Sequence, residues 1–163
     1  MSKEKFESLI GLVVQDRPLA EKLLAEDPEI INAKNGIGET VLHYLAVEDR
    51  QEEVSWLLEK GAEINTTNEF GNTPLSDAAS LGYYDLCEFL LNQGADPRIK
   101  TSEGDAALSE AATNNEYKVV ELLLNHVNPE ESLQGYFSQV SYEVLLDKES
   151  QSAKLIKVKG LKW

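Results

Sequence analysis

Asn72–Gly104, NTPLSDAASLGYYDLCEFLLNQGADPRIKTSEG, decides how this chain is read, because a step of its own length, 33 residues, lands repeatedly on the same residue type. Gly38, Gly71 and Gly104 stand 33 apart, and the same interval takes Leu42 to Leu75 to Leu108, Ala46 to Ala79 to Ala112, and Leu57 to Leu90 to Leu123. Apolar residues scattered by chance do not hold one register through three copies. Within the stretch, Thr73 is placed to cap a helix that Pro74 starts, Gly82 ends it, and Gly94 ends a longer second helix before Asp96-Pro97 forbids continuation.

The neighbouring units follow the same plan. In the unit before it, Leu42, Leu45 and Ala46 fall at i, i+3 and i+4, as do Val54, Leu57 and Leu58, so each run covers one helix face. Asp49-Arg50 separates the two runs, and Gly61 follows the second. In the unit after it, Leu108, Ala111 and Ala112 precede Val119, Val120, Leu122, Leu123 and Leu124, and Asn115 stands where Gly82 stood. Asparagine is the next best residue for a left-handed backbone position. Upstream, Phe6–Val14 and Pro18–Leu24 read as two short helical segments, followed by a turn-rich loop over Ala25–Gly38. One extra residue in Asp27–Ile30 makes this first unit a degenerate copy, suited to a terminal position. Helices this short do not persist alone in water, where about 12–15 residues are needed even for good helix formers. Each pair must lean on its neighbours, which makes the chain a solenoid with apolar faces stacked between units.

Together these residues resemble the ankyrin-repeat family. Its pattern is matched in unit three by Gly71, Thr73, Pro74, Leu75, Ala78, Ala79, Gly82, Leu90, Leu91, Gly94, Ala95 and Asp96. Unit two matches with Gly38, Thr40, Leu42, His43, Ala46, Leu57, Leu58, Gly61 and Ala62. Val41 in place of the proline, Ser76 and Ser109 in place of the histidine, and Val127 in place of the last glycine depart from it. The fold this implies is mostly all-α: about four helix-turn-helix repeats near residues 5–37, 38–70, 71–103 and 104–128, forming one domain over 1–128. The resemblance also implies that His43 ties Thr40 and nearby backbone together. It implies that a protein partner is chosen along a concave strip of loop tips and inner-helix residues. Carried over by position, these are Ile37, Glu39, Val47 and Glu48 in unit two and Glu69, Phe70, Asn72, Asp77, Ser80 and Leu81 in unit three. In unit four they are Glu103, Asp105, Glu110, Thr113 and Asn114. Phe70 and Leu81 are the expected anchors, being large apolar groups that the scaffold does not need.

Residues 129–163 carry no repeat signature and are expected to cap the open end of the solenoid. Ser141–Leu146 and Leu155–Val158, rich in β-formers around polar Asp147–Ser152, suggest a hairpin, while Phe137, Val140, Val144 and Leu145 suit a helix. Both readings stand at this level. So does a small basic and aromatic surface made by Lys154, Lys157, Lys159, Lys162 and Trp163.

Charge bounds the partner. The net charge of −14 resides in residues 1–128, with 24 acids and 10 bases, whereas 129–163 hold 5 of each. An acidic body repels nucleic acid and anionic membrane surfaces and steers a basic protein toward itself. No run approaches the roughly 20 apolar residues that cross a bilayer, and Leu9–Val14 is too short for a secretory core, so neither leader nor span is expected. The single Cys87 has no partner for an internal disulfide, which points to a reducing cytoplasm, and a monomer in isolation is expected. His43, His126 and Cys87 fall in different units without zinc-ligand spacing. No phosphate loop or nucleophile elbow occurs. The chain is therefore expected to be a binding protein without catalytic activity or cofactor. Its small size and acidity also fit an inhibitor, an immunity-type protein that occludes a basic toxin enzyme.

Overall fold

The computed structural model describes residues 3–126, 133–147 and 150–158. They form helix pairs: α1 (Lys3–Gln15) with α2 (Arg17–Glu26), α3 (Val41–Val47) with α4 (Gln51–Glu59), and α5 (Pro74–Ser80) with α6 (Tyr84–Asn92). These are followed by α7 (Ala107–Thr113) with α8 (Tyr117–Leu124) and by α9 (Gln139–Asp147) with α10 (Gln151–Val158). Among the described residues there is no strand. The inner helices stack in order, α1 on α3, α3 on α5, α5 on α7 and α7 on α9, while α6 packs on α8 and α8 on α10.

The 33-residue register is the stacking register. Leu42, Leu75 and Leu108 are buried, as are Ala46, Ala79 and Ala112, and Leu57, Leu90 and Leu123, and all join one continuous apolar core. Burying a leucine side chain contributes about 1.5–3 kcal/mol, so this repeated set offsets the nucleation cost of helices of seven to nine residues. Thr73 and Ser76 form the capping box of α5, with Pro74 in its first turn. The turn between paired helices needs a left-handed residue, supplied by Gly82 at φ 76°, by Asn115 at φ 62° and by Asp49 at φ 54°.

The loops between pairs are tied tip to tip. Ile37 O accepts from Glu69 N at 3.0 Å, and Phe70 O accepts from Ser102 N at 2.8 Å. Gly38 and Gly71 allow this approach. A Cβ on Gly38 would lie 2.8 Å from Glu69 N, and one on Gly71 would lie 2.8 Å from Thr101 Cα. Within each tip a side chain holds the turn. Asn35 Oδ1 accepts from Ile37 N and Glu39 N, and Asn68 Oδ1 accepts from Phe70 N and Asn72 N, all at 3.0 Å. His43 fastens units two and three. Its Nδ1 accepts from Thr40 N at 3.2 Å, which leaves Nε2 to donate to Asn72 O at 2.9 Å. Burial holds this imidazole below its ordinary pKa, in keeping with a neutral, structural ring.

Of the two readings of the tail the helical one holds: Ser141–Leu146 and Leu155–Val158 both lie in helices. Ser138 and Ser150 explain the outcome, since Ser138 Oγ accepts from Ser141 N and Ser150 Oγ accepts from Ala153 N, each at 3.2 Å. These are N-caps, and caps select helix over strand where short apolar runs are ambiguous. Phe137 lies before α9 and is buried, whereas Val140 on α9 is 69% exposed. Both helices keep the register of the stack, with Ser138 standing 33 after Asp105 and α10 opening 34 after α8.

Candidate protein-interaction surface

Most of the residues expected along the concave strip are accessible. Ile37, Val47, Glu48, Glu69, Phe70, Leu81, Glu103, Thr113 and Asn114 are exposed, and Glu39, Asn72, Asp77, Ser80 and Glu110 are half-buried. Phe70 is 55% and Leu81 46% exposed, among the most exposed large apolar side chains described. Phe70 is at a loop tip and Leu81 is the C-cap of α5. Tyr83 packs toward the core, and its hydroxyl donates to Val47 O at 3.2 Å.

Tyr44 was missed by the positional reading. It lies 33 before Asp77, which in turn lies 33 before Glu110, so the three occupy one register position on α3, α5 and α7. Tyr44 is 43% exposed, comparable to Val47 at 40%. A groove lined by Ile10, Val14, Tyr44, Glu48 and Arg50 carries this apolar zone onto α1. The exposed apolar side chains of this surface thus lie in units one to three, among acids, whereas the strip residues of unit four are acidic or polar.

The acids are electrostatically linked. Burial, then repulsion from Glu39 and Glu110, raises the Asp77 carboxyl from 3.8 to about 7. Burial, then repulsion from Asp105 and Glu103, also raises Glu110. The charges acting on Asp77 are all negative.

Asp105 is corrected. It is 5% exposed, and its carboxylate accepts from Ser109 Oγ at 2.6 Å, Ser138 N at 2.8 Å, Ser138 Oγ at 3.1 Å and Ser141 Oγ at 2.7 Å. Burial pushes this carboxyl up, but the hydrogen bonds together outweigh it and hold the group below its ordinary value. The carboxylate fastens α9 to unit four.

Other chemistry is sparse. Cys87 is fully buried, and burial pushes its thiol up to about 12, so it is no thiolate nucleophile at neutral pH. No group of three His, Cys, Asp or Glu among the described residues could hold a metal ion. No helix among them is long and apolar enough to cross a membrane. Lys154 and Lys157 are exposed on α10, while Lys159, Lys162 and Trp163 lie outside the described residues.

Short helix pairs stacked at a fixed period over one continuous apolar core define an α-helical repeat scaffold. The family model for ankyrin repeats, in three copies, matches residues 11–101. The chain belongs to the ankyrin-repeat family, whose members are generally protein–protein interaction modules. No curated protein matches it by sequence.

Proposed function

We propose that this chain is a non-enzymatic interaction module that binds a basic protein through its concave strip. The observation that carries this reading is the exposure of Phe70 and Leu81, apolar groups outside the stacking set, with Glu69 beside Phe70 in its loop tip, Glu103 in the tip bonded to it, and Asp77 one helical turn before Leu81. A few such anchors usually supply most of an interface's energy, about 2 kcal/mol or more each. In this reading residues 1–128 are the binding domain, the tail closes its C-terminal end, and the free protein is a monomer.

A second reading, an acidic inhibitor of a basic toxin enzyme in the cytoplasm of the producing cell, is favoured by the charge of −14 held within residues 1–128. Affinity capture from the native host with the wild-type chain and with Phe70→Ala/Leu81→Ala tests the first reading. A partner lost by the double variant supports the strip, and a partner retained by it overturns the strip. Assaying the captured protein separates the two readings. A basic enzyme silenced on binding establishes inhibition, and a partner without enzymatic activity rules it out.

A further inference from the structure

The inner-helix face combines two chemistries at one register position, and that combination describes its occupant. Tyr44 on α3 is exposed beside Val47, an apolar pair without a covering element among the described residues. One inner helix along, Asp77 on α5 is half-buried, and its carboxylate has no hydrogen bond or ion pair within the described residues. Its backbone O accepts from Ser80 Oγ at 2.8 Å, which leaves the side chain uncommitted. The charged groups acting on it are Glu39 from the loop before α3 and Glu110 from α7, and no lysine or arginine compensates them. A partly desolvated carboxylate between two others is unfavourable in the free protein, and a cation placed against it relieves both the desolvation and the repulsion.

We propose that the partner presents a two-point motif: a lysine or arginine set against Asp77, and an apolar side chain one helix spacing away, over Tyr44 and Val47. This rests on the concave-strip reading. Packed helices lie about 8–10 Å apart. That spacing corresponds to about five to seven residues of a partner helix, at about 1.5 Å each, of which only a separation of seven returns to the same face. It corresponds to about three residues of a polyproline-II segment, at about 3.1 Å each, in which every third side chain returns to the same face.

The test is selection of random peptides displayed on phage against the full chain, followed by affinity measurement of the enriched peptides. The expected consensus pairs Lys or Arg with an apolar residue at a separation of three or seven. Asp77→Asn should weaken those peptides about tenfold or more, the loss of one well-placed charge-assisted contact. Tyr44→Ala should weaken them as well, and Asp77→Lys should select acidic residues at the basic position. Because Asp77 is raised to about 7, wild-type affinity should fall between about pH 8 and about pH 5.5, and Asp77→Asn, in which Glu110 is the raised acid that remains, should lose much less over that range. A consensus without a basic residue, or peptides indifferent to Asp77→Asn, overturns the motif. If such peptides still lose affinity to Phe70→Ala/Leu81→Ala, the strip survives and only the motif fails. If they ignore that double variant too, both fail.

Discussion

Asp77 and Asp105 lie one unit apart on the same side of the stack and have opposite fates. Asp105, before α7, receives four hydrogen bonds from Ser109, Ser138 and Ser141 and sits below the ordinary carboxylate range. Asp77, on α5, is left without a donor to its carboxylate within the described residues and is raised to about 7. One carboxylate fastens the protein and the other is available to something else. The difference is made by the next unit. Ser138 and Ser141 reach back to Asp105, whereas Glu110, the residue of α7 in register with Asp77, repels it. Asp105 is therefore a joint and Asp77 an uncommitted charge, and their carboxyls are displaced in opposite directions.

The largest effect that would break this division comes from beneath both regions. Leu75→Ala or Leu90→Ala should cost about 2–5 kcal/mol in denaturant unfolding, as cavities in a packed core do, and should weaken the joint and the strip together. Next is the joint itself. Asp105→Ala leaves the donors of buried Ser109 and of half-buried Ser138 and Ser141 without this acceptor and should cost about 1–3 kcal/mol. Hydrogen exchange should locate that loss in α9 and α10. Because the native carboxyl lies below its ordinary 3.8, this stabilisation is present above that value and is lost as pH falls through the native one.

Asp77 has the opposite sign. Its native carboxyl binds a proton between the ordinary 3.8 and about 7, so stability falls as pH rises through that window and the full cost is present above it. Asp77→Asn should therefore stabilise the chain by about 1–2 kcal/mol near pH 8, allowing for solvent screening, with the gain vanishing toward pH 4. A pH-independent gain would mean that the two acids do not differ as described.

The fold was legible because stacking repeats. Leu75 is read three times over, and Gly82 is recognised even where Asn115 or Asp49 replaces it, since the turn requires a left-handed residue. The tail was ambiguous because its apolar runs are short, although Ser138, 33 after Asp105, and the capping Ser150 carried the helical signal. Position alone located the accessible tips Ile37 and Phe70, held by Asn35 and Asn68. It could not tell Asp105 from Asp77, because their difference depends on Ser138 and Ser141, more than 30 residues away in sequence from Asp105. Tyr44 shares its register position with Asp77 and Glu110, so completing each register position around the stack identifies it from sequence.

The smallest expected effect on stability is the most informative one for function. Phe70→Ala/Leu81→Ala removes exposed apolar groups, and its thermal midpoint should stay within about 3 °C of wild type. Measured on the same preparation, binding to the protein partner captured from the host should be lost. A midpoint lowered by about 6 °C or more would place these residues in the core, and unchanged partner binding would remove the concave strip as the interaction surface.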